Sequence, residues 1–269
     1  MLKQRVVTAA IVTPLAISVI WVGDPWFSVF IAAVVLLGTL EFYRISGNLD
    51  RRQPLVYLGL LWALALALSP HYKNTNILPI VVTTATVISL VWLLSSSAQE
   101  EAFRNWAWVV AGVLYVGWLL GYWLSLRILP DGRGWVYLAM FTTFANDTSA
   151  FFIGRAWGKR KLISAISPAK TWEGALGGLL IAIVVAVAIS RIPILFSLSP
   201  LKYWQAILLG CLISLFAQLG DLVESLLKRN MGVKESGKFL PGHGGILDRF
   251  DSLIFTGVMV YYYVVWVLG

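Results

Sequence analysis

Long apolar runs, separated by short polar segments, extend along most of the chain. An α-helix needs about 20 mainly apolar residues to cross the hydrocarbon core of a bilayer. Runs bounded by charges, prolines or glycine clusters predict about nine transmembrane helices, of which the third and seventh are short. They cover roughly residues 6–23, 26–43, 54–69, 77–94, 106–126, 135–153, 174–190, 204–222 and 252–268. The pattern therefore predicts an all-α, polytopic integral membrane protein.

Basic residues are distributed unequally between the two sides of this predicted bundle. The connections on one side hold 16 of the 21 lysines and arginines, and those on the opposite side hold five. Because cytoplasmic loops carry the excess of Lys and Arg, the N-terminus and both long polar loops are predicted to be cytoplasmic. Eleven of the 13 acidic residues lie in or beside that cytoplasmic half. We therefore expect the chemistry at the cytoplasmic face of a cell inner (plasma) membrane.

The composition agrees with a membrane protein and excludes several other classes. Hydrophobic residues make up 59% of the chain, charged residues 13%, and the mean hydropathy is +0.80. A water-soluble enzyme, a disordered chain and a fibrous repeat do not have such a composition. A membrane barrel would show alternating segments of about ten residues. The net charge of +8 is interpreted as an excess of basic residues on one side of the membrane and as an indication of an anionic substrate. No nucleic-acid partner is expected.

Several features predict how the chain is organised. No internal repeat is visible, and the polar segment 223–251 is too short to form a core of its own. We expect one folding unit, with N-terminal membrane helices in residues 1–134 (about five spans) and the active-site half in 135–269. The single cysteine, Cys211, lies in an apolar run, which excludes an intrachain disulfide and a Cys/His zinc site.

Two pairs of glycines spaced by four residues predict close packing between helices. The pairs are Gly117 with Gly121 and Gly174 with Gly178. Packing within one chain is favoured over dimerisation, and a homodimer stays as the alternative.

Acidic residues flank the 223–251 segment, where predicted helices meet the cytoplasmic surface. The first group has the spacing i, i+3, i+4, i+7, which predicts one polar stripe if the eighth span continues as a helix. The second group is an i, i+3 pair at the start of the ninth span. Carboxylates so placed can hold Mg²⁺, which takes one or two of them and completes its shell with water and substrate phosphate. The groups are Asp221, Glu224, Ser225 and Lys228, then Asp248 and Asp251.

The same segment is rich in basic residues and glycines. Lys and Arg around an acidic centre suit a phosphorylated substrate. In Pro241–Gly245, the glycines let the backbone approach a ligand, and His243 can bind phosphate or transfer a proton. Two alternatives stay open: a solvated connector that touches anionic lipid, and a simple turn. The basic residues are Lys228, Arg229, Lys234, Lys238 and Arg249.

A second polar cluster lies between Asn146 and Glu173. Asp147 falls inside the sixth predicted span, where a carboxylate is costly and is a functional candidate unless it pairs with a neighbouring helix. The basic run from Arg155 to Lys161 either binds a lipid headgroup or anchors the topology. Ser167 and Lys170 just ahead of a helix predict an anion-binding corner.

The segment from Ser225 to Asp251 closely resembles the signature of the phosphatidate cytidylyltransferase (CDP-diacylglycerol synthase) family. One position departs, because Glu235 stands where the family has Asp, which puts a tight role for that carboxylate in doubt. Upstream elements around Asp147, Ser167 and Asp221 are also similar, so the resemblance covers about the C-terminal half. The matching positions are Ser225, Lys228, Arg229, Lys234, Gly237, Leu240, Pro241, His243, Gly244, Gly245, Asp248, Arg249 and Asp251.

The resemblance implies a membrane enzyme that transfers CMP from CTP to phosphatidate with Mg²⁺, and leaves room for a second metal ion. Asp221 and Asp248 would hold metal, with Glu224, Asp251 and Asp147 as further or outer ligands. The phosphate-binding residues would be Lys228, Arg229, Lys234 and Arg249, the first and last of them catalytic along with Asp221 and Asp248. Other substrate contacts would come from Ser167, Lys170, Ser225, His243, Gly244 and Gly245.

Three other functions compete with this interpretation. An ion-coupled transporter would use Asp147 and Asp221 as carriers, but the outer face holds few acids and no repeat is seen. A related enzyme could activate another membrane phosphate; a CDP-alcohol phosphotransferase is disfavoured because its motif is missing. A non-enzymatic scaffold for anionic lipid would depend on the basic residues alone.

Overall fold

The computed structural model describes residues 13–46, 54–72, 77–94, 99–192, 196–237, 239 and 244–269, excluding the side chains of residues 99 and 100. The described residues are mainly helical, as the apolar runs predict. The helices are α1 Thr13–Val22, α2 Trp26–Ile45, α3 Pro54–Ala67, α4 Ile77–Leu93, α5 Gln99–Gly112, α6 Leu119–Ile128, α7 Gly132–Trp157, α8 Trp172–Ser190, α9 Tyr203–Asn230 and α10 Leu247–Tyr263. π-helical turns at Val113–Trp118 and Val264–Leu268 join α5 to α6 and extend α10.

Five described helical stretches are long and apolar enough to cross a membrane, and three shorter ones, α1, α3 and α4, are also apolar. Each of them overlaps a predicted run. The sixth predicted run lies in α7, which carries several polar residues and is not among the five. The prediction of a helical membrane protein is confirmed at this level, and the count of nine stays a prediction. The five are Trp26–Ile45, Glu101–Ile128, Trp172–Ser190, Tyr203–Asn230 and Leu247–Leu268.

The chain forms two compact units. The first contains residues 1–124 and 233–248, and the second contains 125–232 and 249–269. Helix α10 thus contributes its first two residues to one unit and the rest to the other. The predicted division near residue 134 stays a prediction of the sequence.

The first unit is built on close contacts between α2, α3 and the α5–α6 helix. A Cβ placed on Gly117 would lie 2.7 Å from the Ala63 Cα, and one on Gly121 would lie 2.9 Å from the Ala67 Cα. This glycine pair packs on α3 of the same chain, as expected. Tyr43 of α2, which is buried, donates a hydrogen bond of 3.0 Å to the Val109 carbonyl.

The second unit is organised around α7, α8 and α9. A Cβ on Gly174 would lie 2.6 Å from the Ala150 carbonyl oxygen, and one on Gly178 would lie 2.8 Å from the Asn146 side-chain oxygen. This second glycine pair therefore also packs within the chain, against α7. Close approach places polar side chains of α7 directly against the neighbouring helices.

A short antiparallel hairpin precedes α8, with strands β1 Lys161–Ile163 and β2 Ser167–Thr171. The all-α prediction holds apart from this hairpin. Strands of three and five residues have too few positions to show an alternating pattern, which explains why the sequence did not reveal them.

Helix α9 covers 28 residues, which corresponds to about 42 Å at 1.5 Å per residue. A bilayer core is about 30 Å thick, so the helix is long enough to project beyond it. The condition for the polar stripe, that the eighth run continues as a helix past its apolar end, is therefore met.

Candidate functional site

A cavity of about 600 Å³ opens in the second unit between α7, the hairpin, α8 and α9. Its volume is in the range of small-molecule binding sites. The cavity brings together residues that are far apart in sequence, from the Asn146 cluster, the basic run, the hairpin and α9. Its polar lining consists of Asn146, Asp147, Arg155, Lys161, Ser167, Lys170, Thr171, Gln218 and Asp221.

An ion pair lies in the wall of this cavity. The Lys170 Nζ on β2 is 2.8 Å from the Asp221 Oδ2 on α9, and their side chains are 23% and 33% exposed. Ser225 Oγ, one turn along α9, donates to the Asp221 Oδ1 at 3.3 Å. Three predicted site residues are thus in contact. A partly exposed pair of this kind offers a cation and a carboxylate to a ligand in the cavity.

Local capping interactions fix the strand that carries Lys170. Thr171, the last residue of β2, is the N-cap of α8, and its Oγ1 accepts a hydrogen bond of 3.2 Å from the Gly174 N–H. The Glu173 carboxylate accepts from the backbone N–H groups of Lys159 and Arg160 at 3.1 and 3.2 Å. A carboxylate in the first turn is also favoured by the helix dipole. These bonds tie the basic run and β2 to the start of α8.

Asn146 is the centre of a buried polar network in the second unit. Its Oδ1 accepts from Ser214 Oγ at 2.6 Å and from Gln218 Nε2 at 3.4 Å, and its Nδ2 donates to Asp147 Oδ1 at 2.9 Å. Ser252 of α10 also hydrogen-bonds Asp147. The carboxylate predicted inside the sixth run is therefore held by neutral partners and faces the cavity.

The predicted polar stripe on α9 exists. Beyond Asp221 and Ser225, the fully buried Glu224 carboxylate forms an ion pair of 2.7 Å with Lys228 Nζ. Arg229 is exposed, and its Nε donates to the Ile166 carbonyl of the hairpin turn at 3.3 Å. The stripe thus links the hairpin to α9, and of its members Asp221 lines the cavity.

Carboxylates accumulate in the second unit. Asp251 lies within electrostatic range of Asp147, Asp221 and Glu224. Lys170, paired with Asp221, and Lys228, paired with Glu224, offset part of this negative charge. Among the residues that the structure describes, no three His, Cys, Asp or Glu side chains converge as a closed metal-binding group. The Mg²⁺ site that the sequence predicts stays a prediction.

Residues 233–248, the glycine-rich part of the signature, belong to the first unit. The Asp248 Oδ2 accepts hydrogen bonds from Ser236 N at 2.8 Å, Ser236 Oγ at 2.9 Å and Gly245 N at 2.9 Å. Gly244 has a φ of +80°, a conformation that favours glycine. Three donors therefore fix the orientation of the Asp248 carboxylate.

Two basic residues predicted to bind phosphate lie at the surface. They are Lys234 and Arg249. His243 and Lys238 lie outside the described residues. Their assigned roles stay predictions.

Sequence reasoning missed four residues that the structure places at these sites. Arg155 and Lys161 line the cavity, whereas the sequence analysis predicts only that they bind a lipid headgroup or anchor the topology. Gln218 joins the Asn146 network one turn before Asp221. Glu41, in an apolar helix, accepts from Ser236 Oγ and from the Leu247 N–H. The available signal for Glu41 was a lone acid inside an apolar run.

Comparison with known proteins gives consistent similarities over nearly the whole chain. The model of the "Cytidylyltransferase family" matches residues 3–267. A protein of Bacillus subtilis named phosphatidate cytidylyltransferase is 33% identical, over 97% of this chain and 97% of its own. Proteins of the same name from Pseudomonas aeruginosa and Synechocystis are also 33% identical, the first over 100% of this chain and 98% of its own, the second over 98% and 97%.

Proposed function

The chain belongs to the cytidylyltransferase family, and on this premise we propose that it transfers CMP from CTP to phosphatidate, producing CDP-diacylglycerol and pyrophosphate in phospholipid biosynthesis. The observation that best supports this activity is the cavity in which Lys170 and Asp221 form an ion pair. Asp147, Arg155 and Lys161 line the same cavity. It combines cations for phosphate with carboxylates for a metal. The cavity opens next to apolar helices, which suits a substrate that has both a charged headgroup and acyl chains.

The reaction needs little proton chemistry from the protein. A phosphate oxygen of phosphatidate attacks the α-phosphorus of CTP, and the bond from that phosphorus to the oxygen bridging to the β-phosphate breaks. The lipid phosphate is already an anion at neutral pH, so the work is alignment of the two substrates and neutralisation of charge. We assign phosphate binding to Lys170, with Arg155 and Lys161 as additional cations of the same cavity.

We further propose Mg²⁺ as the cofactor. Asp221 and Asp147, which both line the cavity of the second unit, would hold it, and Asp248 and Asp251 stay predicted ligands on their sequence positions. When bound, the metal would neutralise phosphate charge as a Lewis acid. The protein's own part is to hold these carboxylates in place through Lys170, Ser225 and the Asn146 network.

The experiment measures pyrophosphate release by the purified full-length protein in lipid nanodiscs, with CTP and phosphatidate, with and without Mg²⁺. We expect release that requires both the lipid and the metal, and a loss of about 1,000-fold in Asp221→Asn, because the amide neither binds Mg²⁺ well nor pairs with Lys170. The matched control is Glu101→Gln, which changes an exposed acid of α5 that pairs with Arg104.

Two outcomes would contradict this proposal. Folded wild-type protein that releases no pyrophosphate with phosphatidate, but does so with another lipid phosphate, would reassign the lipid substrate. Full activity of Asp221→Asn would show that the cavity is not the active site.

We also propose that the active site faces the cytoplasm, on the basis of the basic residues in the loops. CTP does not cross a bilayer, so the same assay can report sidedness. Sealed inside-out membrane vesicles should release pyrophosphate from external CTP, and right-side-out vesicles should do so only after detergent. The reverse pattern would overturn the orientation.

A further inference from the structure

Glu41 occupies an unusual position for a charged side chain. It lies in the apolar helix α2 and is 3% exposed. Its Oε2 accepts hydrogen bonds from the Leu247 N–H at 2.9 Å and from Ser236 Oγ at 3.1 Å. Its Oε1 has no hydrogen-bond partner among the described residues. Burial of a carboxylate is costly unless it is compensated, so its partners indicate what Glu41 does.

Both hydrogen bonds of Glu41 go to the signature segment 233–248. Leu247 is the first residue of α10, so its N–H has no partner within the helix, and Glu41 satisfies it from another helix. Ser236 Oγ lies 3.1 Å from the Glu41 Oε2 and 2.9 Å from the Asp248 Oδ2. The single hydroxyl proton is shared between these two acceptors, so one side chain connects the buried carboxylate of α2 with a predicted metal ligand.

The glycines of the segment leave space for this arrangement. A Cβ on Gly237 would lie 2.4 Å from the Glu41 Oε1, and one on Gly245 would lie 2.3 Å from Oε2. Gly245 was expected to let the backbone approach a ligand. A Cβ on Gly245 would meet Glu41 and Ser236, so the missing side chain also leaves room for the packing of the segment, and the predicted ligand contact stays a prediction.

We propose that Glu41 is a positioning residue, which holds the signature segment through Ser236 and Leu247 and thereby fixes the Asp248 carboxylate. This inference rests on the proposed function for the role of Asp248, but the contact itself does not. Glu41 acts as a hydrogen-bond acceptor at a fixed reach. It does not act through its charge.

If the acceptor and its reach matter more than the charge, the neutral Gln variant of Glu41 should be more active than the charged Asp variant. Gln at position 41 has the same length and can place its amide oxygen where Oε2 lies. Asp keeps the charge but withdraws it by about 1.5 Å, the length of one carbon–carbon bond. We expect Glu41→Gln to keep kcat within about fivefold of wild type, and Glu41→Asp and Glu41→Ala to lose about 30-fold or more, since each loses the acceptor of two hydrogen bonds at the required reach.

Two further readouts separate positioning from general damage. Loss of a fixed Asp248 should raise the Mg²⁺ concentration for half-maximal rate about tenfold in Glu41→Ala, while the KM for phosphatidate changes less than threefold. Trypsin cleavage after Lys234, which is exposed in the segment, should become about tenfold faster. Ser236→Ala should give the same pattern more weakly.

The matched control is Thr39→Val. Thr39 is fully buried two residues earlier in α2, and its Oγ1 has no hydrogen-bond partner among the described residues. We expect this variant to stay within twofold of wild type in rate and cleavage. An equal loss in Thr39→Val would indicate that any change in α2 impairs the protein, and it would overturn the specific role of Glu41.

The outcomes distinguish this inference from the proposed function. Full activity and wild-type cleavage in Glu41→Ala would overturn the inference and leave the function intact. Glu41→Asp more active than Glu41→Gln would overturn the acceptor role in favour of a charge-dependent one. If the wild type proves inactive with every lipid phosphate, the cleavage assay still decides whether Glu41 holds the segment.

Discussion

Two carboxylates of this protein, one in each unit, are used in opposite ways. Asp221 is one-third exposed to a cavity and pairs with a lysine that is also partly exposed. Glu41 is buried, and its described donors are a hydroxyl and a backbone N–H. A charged pair at a cavity can exchange partners with an incoming phosphate or cation. A buried carboxylate with neutral donors gains nothing from such exchange, and its bonds preserve the local geometry.

The comparison shows how the acid proposed to act on the substrates differs from the acid proposed to hold the fold. Both lie on apolar helices, and hydropathy does not distinguish them. Exposure and the type of donor do, and both depend on tertiary contacts.

Among the variants that test the contrast between Asp221 and Glu41, Lys170→Met is expected to have the largest effect. It removes the exchangeable cation from the cavity but keeps the volume of the side chain. We expect kcat/KM for phosphatidate to fall about 100-fold, as for loss of a charged contact to a phosphate in the transition state. Steady-state pyrophosphate release measures it. Lys159→Met, an exposed lysine that does not line the cavity, should stay near wild type; equal losses in both would point to a general need for basic residues at the membrane.

A smaller effect is expected in the Glu41 region for Gly245→Ala. The added Cβ would lie 2.2 Å from Ser236 Oγ and 2.3 Å from the Glu41 Oε2, so the segment must shift. Overpacking of this kind costs about 2 kcal/mol. Thermal unfolding of the purified protein and trypsin cleavage after Lys234 measure it. Glu235→Ala, on an exposed neighbour, is the control, and an unchanged Gly245→Ala would mean that the segment is loosely packed.

The smallest effect concerns the cap that supports Lys170. Thr171→Ala removes the acceptor for the Gly174 N–H and should lower the free energy of unfolding by about 1 kcal/mol. Thr171→Ser keeps the hydroxyl and should restore most of that loss, as measured by thermal unfolding. If Thr171→Ser were as unstable as Thr171→Ala, the methyl group and not the cap would be responsible.

Local patterns predicted much of the fold. The spacing from Asp221 to Lys228 predicted one polar stripe if the helix continued beyond its apolar part, and α9 does continue to Asn230. The two glycine pairs indicated close helix packing, which is found against α3 and α7. These features depend on residues three or four positions apart, so the sequence contains them directly.

The remaining features depend on contacts between distant parts of the chain. Arg155 and Lys161 follow a predicted span and look like topology residues until α7 and β1, which carry them, come together at the cavity wall. Glu41 resembles a stray charge near the end of a span, because its partner Ser236 is 195 residues away. A single sequence has no local signal for such a contact.

The bond between Glu41 and the Leu247 N–H, 206 residues apart, has a consequence for biogenesis. A ribosome that adds about 5 to 20 residues per second needs on the order of 10 to 40 s between the two residues. During that interval α2 is already synthesised while its carboxylate still lacks both described donors. The first unit, although it contains the N-terminal residues, therefore cannot be completed until residue 248 has been synthesised. A product truncated before residue 236 would present an uncompensated acid to the insertion and quality-control machinery.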